Sequence, residues 1–377
     1  MNWRTSFVVE LKKLFSNPAV VFTVFGGIVI YSLLYPLPYA NQLPRELRVA
    51  VVDHDESQQS RVFIRMLDAT PQLKVVSQLS SENQAGIHIA NAEIEGVISV
   101  PEYFYRDLLL GKSPVVAVGG DASFFLTYGT IAEGVIAAGS TLGAKVKTTK
   151  AMMNDVPLSL ASKQNSPFSL NLVPVFNPTM GYGNYVVPGV FILILQQTLL
   201  IASGLLGCGE KETSRRRFIA RTTILVVIYS VMTMYYLGAS LDINGVNRLA
   251  QPLQLAIVML PFLLATIGCG TLLGKVIKRP EMITLVVLLS SMPLLFTSGF
   301  VWPTSALPEW LNMLAQLSPS TPAIQATIQL NQMGATIQSQ SGHLAQLWAL
   351  AVVFLGMAQM PFFSTKTMAH SERQHRV

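Results

Sequence analysis

Apolar positions along this chain follow two different patterns. Six nearly unbroken runs, at residues 19–37, 184–207, 222–241, 253–274, 282–301 and 344–363, reach the length needed to cross a bilayer. A hydrocarbon core about 30 Å thick takes about 20 residues of helix at 1.5 Å each. Between the first run and the second, apolar residues come instead in short clusters broken by turn and capping residues. β-rich runs at 47–52, 73–76, 96–100 and 114–118 alternate with helical periodicity. Ser57 is placed to cap a helix whose Val62, Phe63, Met66 and Leu67 share one face, and Ser81 and Gln84 have the spacing of a capping box. Pro101 opens a helix over 102–110, Gly111 stops it, and a long, weakly apolar helix follows at about 124–153. Strands alternating with helices predict an α/β unit with a parallel sheet, and 154–176 reads as an extended return to the membrane. The expected fold class is an α-helical polytopic membrane protein with six transmembrane helices and an inserted α/β extracytoplasmic domain.

Composition sharpens this picture. Only 12% of the 377 residues are charged, against an average of about a quarter in soluble domains, and mean hydropathy is +0.45. The charges are unevenly spread. Residues 38–183 carry 24 of them, and the other 231 residues carry 22. Outside 38–183 the basic residues lie almost wholly on one side of the spans. Arg4, Lys12 and Lys13 precede the first; Lys211, Arg215, Arg216, Arg217 and Arg221 separate the second and third. Lys275, Lys278 and Arg279 separate the fourth and fifth, and Lys366, Arg373 and Arg376 follow the sixth. The opposite short loops hold Arg248 alone. Lys and Arg accumulate in cytoplasmic loops, so both termini are expected in the cytoplasm and 38–183 outside. The basic charge is then a topology signal, and nucleic acid has no place as a partner.

Candidate chemistry is sparse. Asp53-x-Asp55 ends a hydrophobic strand, as in phosphatase or divalent-metal sites, but Glu56 and Ser57 do not continue such a pattern; a strand-end turn and helix cap is the expected role. Gly111, Lys112 and Ser113 resemble the tail of a phosphate-binding loop, yet Arg106 stands where the first glycine belongs. Gly274 and Lys275 fail likewise, with Cys269 at that place. The five histidines show no ligand spacing, and Cys208 and Cys269 are expected to be reduced and inert. No cofactor is expected on this chain. None of the six apolar runs contains Asp, Glu, Lys, Arg or His, which disfavours a proton-coupled carrier. Two further stretches stand out. Residues 3–17 are expected to form an amphipathic interfacial helix with Trp3, Phe7, Leu11, Leu14 and Phe15 on one face. Residues 302–343 hold one formal charge, Glu309, and four prolines. They are too broken to span and too apolar for a free loop, so short helices at or dipping into the outer leaflet are expected.

Five segments in order carry a family resemblance: ELKKLFSNP at 10–18, VVDHDES at 51–57 with Ser60 and Arg61, EGVISVPEYF at 95–104 with Leu110 and Gly111, FNP at 176–178 with YVVPG at 185–189, and SGFVWP at 298–303 through LSP at 317–319. With these the whole chain resembles the type-2 permease subunits of ATP-binding-cassette exporters, in the group with a large outer domain after the first span. The loop EKETSRRRF at 210–218 departs from the family by lacking its usual Gly-Thr pair and extra length, which suits a permease paired with a non-identical partner.

The resemblance implies a cytoplasmic elbow helix at 1–17, a first transmembrane helix at 18–37 and the outer domain at 38–183. Transmembrane helices 2–6 with an outer-leaflet hairpin at 302–343 fill 184–363, and 364–377 form a cytoplasmic tail. It implies a non-catalytic export permease of the bacterial inner membrane, pairing with a second permease chain, with ATP bound and hydrolysed by a separate cytoplasmic ATPase subunit. A periplasmic adaptor is a further candidate partner, and the cargo is expected to be amphipathic or lipophilic. Glu10, Lys12, Glu210, Lys211 and Arg215 are the candidates for coupling to the ATPase. Trp302, Pro303, Pro308 and Pro319 are the candidates for an outer gate. The competing expectation is a non-transporting receptor or mechanical transmitter whose outer domain binds a ligand or adaptor.

Overall fold

The computed structural model describes residues 2–39, 44–110, 112–120, 125–153, 183–209, 214–246 and 248–360. Glu210, Lys211, the FNP segment, the 154–176 stretch and the 364–377 tail lie outside them. The chain divides into two compact units, Met1–Gln42 with Pro174–Val377, and Leu43–Val173.

The first unit is helical. Helix α1 (Trp3–Phe15) precedes six helices long and apolar enough to cross a membrane: Pro18–Tyr39, Gly183–Gly207, Arg215–Ile243, Pro252–Val276, Pro280–Thr297 and Gln338–Gln359. These are called the first to sixth spans below. The Asn17 side chain accepts from the amides of Ala19 and Val20 and so caps the first span, with Pro18 in the first turn, where its missing N–H costs nothing.

The second span is the hub. Its apolar window is 89% buried, against 17% for the fifth and sixth spans, so it is enclosed on all sides by protein. The fourth span reaches it through glycine: a Cβ at Gly274 would lie 2.3 Å from the Gly204 carbonyl oxygen. The third span begins seven residues before its apolar run and the fourth ends two residues beyond its own, which brings Arg221 and Lys275 within them. The fifth span is shorter than expected, ending at Thr297. Gly299 then turns the chain at φ +87°, and Phe300 folds back, buried, against Gly189.

The second unit is the inserted α/β domain. Strands β1 (Leu47–Asp53), β2 (Leu73–Leu79), β3 (Gly96–Val100) and β4 (Ala117–Gly120) form one sheet in the order β2-β1-β3-β4. β1 is parallel to β2 and β3, as the alternation of strands and helices predicts. The fourth strand lies three residues later than expected and runs antiparallel to β3, with Gly96 opposite Gly120. Glycine sets that register, because a Cβ at Gly96 would come within 2.8 Å of the Gly119 carbonyl oxygen. Helices α2 (Gln58–Asp68), α3 (Glu82–Ala90), α4 (Phe104–Leu109) and α5 (Phe125–Met153) complete the domain. Val49 and Val51 pack with Phe63 and Leu67 of α2 and Ile131 and Val135 of α5, while Ala50 packs with Ala85 of α3, so β1 is covered on both faces. The expected Ser57 cap forms, its oxygen accepting from the Ser60 amide. The expected Ser81–Gln84 capping box does not. Gln84 accepts from the Ser80 amide instead, and Ser81 makes no side-chain cap bond.

Candidate functional site

The site grows from α1. Ser6, Glu10 and Leu14, spaced four apart, are its buried residues. Of the apolar set Leu14 is buried, whereas Trp3, Leu11 and Phe15 are exposed, the side an interfacial helix turns to lipid. Glu10 finds its partners on the third span. Glu10 Oε1 accepts from Arg217 Nε and Nη2 at 2.7 Å, and Glu10 Oε2 accepts from Arg221 Nε at 2.7 Å. Arg217 and Arg221 are four residues apart and share a face of the span. Glu10 and Arg221 are each 2% exposed.

Other polar groups tie helix ends together in the same unit. Lys13 Nζ donates to the Leu206 carbonyl oxygen at 2.7 Å, at the C-terminal end of the second span. Lys275 of the fourth span donates to the Ala358 carbonyl, at the corresponding end of the sixth. Both place a cation where a helix leaves unpaired carbonyls. Burial pushes the Cys208 thiol up from its ordinary value, so it stays a neutral packing group, its Sγ 3.5 Å from the Ile277 carbonyl oxygen.

The coupling candidates therefore separate. Glu10 is engaged inside the chain, whereas Lys12 and Arg215 are exposed, Arg215 as the first residue of the third span; Glu210 and Lys211 lie outside the described residues. Arg217 and Arg221 were missed as site residues by sequence reasoning. Their signal was present in the i, i+4 spacing of two arginines at the edge of an apolar run.

The outer candidates separate too. Trp302, Pro303 and Pro308 are exposed, and Pro319 is buried. Pro303 precedes a short turn at Thr304–Ala306, Pro308 caps helix α6 (Glu309–Ala315), and Pro319 caps helix α7 (Ser320–Asn331). Helix α6 leaves Trp310, Met313 and Leu314 exposed, while α7 is buried along most of its length and packs against the second, fourth and sixth spans. Gln196 of the second span donates to Ser318 Oγ at 3.1 Å, just ahead of α7.

In the inserted domain the acidic motif is structural. Asp53 accepts from the amides of Asp55 and Glu56 and from Ser60 Oγ, and Asp55 accepts from the Tyr105 amide. No cluster of three metal-ligating side chains occurs among the described residues. His54 Nε2 and Ser99 Oγ both bond Glu82 Oε1, at 2.8 and 2.7 Å. The hydrogen bond to Glu82 raises the His54 pKa, and the bonds from His54 and Ser99 lower that of Glu82 to about 2.

Residues 18–358 match the family described as ABC-2 family transporter protein. The linearmycin resistance permease protein LnrN of Bacillus subtilis (strain 168) is 21% identical over 371 residues, covering 92% of this chain and 95% of that protein. The inner membrane transport permease YhhJ of Escherichia coli (strain K12) is 23% identical over 376 residues, 95% of this chain and 96% of its own length. The probable multidrug ABC transporter permease YbhR of the same organism is 21% identical over 207 residues, 51% of this chain and 55% of its own. No solved structure gives a significant match.

Proposed function

The chain belongs to the ABC-2 family of transporter proteins, and from that premise we propose that it is the membrane-spanning permease subunit of an ATP-driven exporter in the bacterial inner membrane. It forms the translocation path as a dimer with a second permease chain, identical or related, and hydrolyses nothing itself. ATP is bound and split by a separate cytoplasmic subunit. Both termini face the cytoplasm and the inserted domain lies outside, a reading supported by the one-sided distribution of Lys and Arg.

The observation that carries this reading is the join between α1 and the third span through buried Glu10, with exposed Lys12 and Arg215 on the two joined helices. A helix lying ahead of the spans and locked to one of them is the part an external motor would have to push. Lys12 and Arg215, with Glu210 and Lys211 shortly before Arg215 in sequence, are the groups proposed to meet the ATPase surface. The outer hairpin around Trp302, Pro303, Pro308 and Pro319 is the proposed outer gate. The cargo is proposed to be amphipathic or lipophilic. Spans rich in Met, Phe and Leu support this, as do the printed names of two relatives, one a linearmycin resistance permease and one a probable multidrug permease.

The test is reconstitution of the chain with its ATPase subunit in inside-out vesicles. ATP-dependent accumulation of an amphipathic dye, abolished by a catalytically dead ATPase, is the expected result. Vesicles in which ATP is hydrolysed but no amphipathic probe moves overturn the transport reading in favour of a transmitter.

A further inference from the structure

Glu10 and Arg221 are the only charged side chains buried among the described residues, and they come from elements 211 residues apart in the chain. Such a pair is a weak source of stability, because removing both ions from water offsets most of their attraction. What it supplies is geometry. A carboxylate held by two planar guanidinium groups fixes both the distance and the rotation of the helices it joins. Since Arg217 and Arg221 lie on successive turns, Glu10 resists sliding and tilting together. Lys13, close behind Glu10, adds a bond to the second span.

Farther along the third span, its contact with the first span changes in kind. Each of the two helices contains a π-helical turn, Phe22–Gly27 in the first span and Tyr235–Ser240 in the third. The third span's π-turn meets the first span just beyond the latter's own: Tyr236 Oη donates to the Ile28 carbonyl oxygen at 2.8 Å, and Ser32 Oγ lies 2.9 Å from Tyr235 Oη. A π-turn interrupts the regular ladder of a helix, and such turns recur at functional sites.

We propose that Glu10, Arg217 and Arg221 join α1 and the adjoining end of the third span into one rigid lever, and that the π-turns of the first and third spans are where its movement is taken up. This rests on the reading of the chain as a permease driven by a separate ATPase. The three residues are positioning residues, since they touch no cargo and act through the helices they hold.

The test uses the full chain reconstituted with its ATPase subunit. Cys208 and Cys269 are replaced by alanine, and spin labels are placed on Val8→Cys and Val227→Cys, positions exposed on α1 and on the third span before its π-turn. The expected distance between labels is the same without nucleotide and with trapped ATP. In Glu10→Gln that distance becomes nucleotide-dependent, and dye moved per ATP hydrolysed falls severalfold. Arg221→Lys, which keeps the charge but not the planar fork, falls between the two. A nucleotide-dependent distance in the chain with native Glu10 overturns the lever, as does Glu10→Gln with an unchanged distance and unchanged dye moved per ATP. If Glu10→Gln does not fold, the distance in the chain with native Glu10 decides alone. Failure of ATP to move dye in that chain counts against the permease reading, whereas the label distance tests the joint separately.

Discussion

Two carboxylate–guanidinium contacts of almost equal length sit in opposite surroundings. In the helical unit Glu10 accepts from Arg217 and Arg221 at 2.7 Å, with the Glu10 and Arg221 side chains 1% and 2% exposed. On the inserted domain Glu95 accepts from Arg48 at 2.8 Å, with those side chains 29% and 48% exposed. Bond length does not separate them; the medium does. Water solvates each partner of the exposed pair when the other leaves, so the contact weighs little. Around Glu10 nothing replaces a lost partner, and a carboxylate stranded there costs far more than the pair contributes. The exposed pair decorates a fold that β1 and its helices already secure, whereas the buried one joins α1 to the third span.

The difference predicts its own tests. Arg221→Ala should have the largest effect, about 3–5 kcal/mol of lost stability from an uncompensated buried charge. It is read as a lowered Tm of the detergent-solubilised protein, and much of the loss should return when Glu10→Leu is added. A shift no larger than that of a surface substitution would place Glu10 in water. Next come Arg215, exposed at the start of the third span, and Glu210, five residues before it in sequence. Arg215→Glu or Glu210→Lys should leave Tm near its native value. Each should lower substrate-stimulated ATPase activity of the assembled complex severalfold; unchanged stimulation would remove these positions from the ATPase interface.

Smaller still is the His54–Glu82 pair. Its His is raised and its Glu lowered, so the His contribution is complete below about pH 6.5 and fades as pH rises through the elevated value. The Glu contribution is complete above about pH 4.5 and fades as pH falls toward 2. The pair should therefore help the domain most between those limits, and Glu82→Gln should lower the His54 pKa measured by NMR. A His54 titration indifferent to Glu82→Gln would dissolve the pair. The smallest effect is expected from Arg48→Ala, a change in Tm close to the error of the measurement. A loss approaching that of Arg221→Ala would cancel the contrast between the two surroundings.

Much of this was legible in the sequence. The six spans follow from apolar length, and β1 to β3 with α2 follow from period and capping, because those signals are local. The apolar stripe of α1 with Trp3, Leu11 and Phe15 was legible as well. What α1 packs against was not, because the partners of Glu10 lie on a helix distant in sequence. Arg221 was legible as a site residue only through its i, i+4 spacing from Arg217. It sits at the margin of an apolar run, where charge reads as a topology signal, and its partner is 211 residues away. The register of β4 depended on two glycines meeting across strands, a non-local fit.

The sequence by itself determined that the chain crosses a membrane six times by helix and carries an α/β insertion, because hydrophobic length and periodicity are properties of consecutive residues. It also made the ABC-2 family recognisable, through short segments in a fixed order. Only the tertiary structure decided that Glu10 turns inward to Arg217 and Arg221, that the second span is enclosed while the fifth and sixth stay open, and that α7 is buried among the spans. Each of those depends on which distant surfaces meet, and on how costly a charge becomes once they have excluded water.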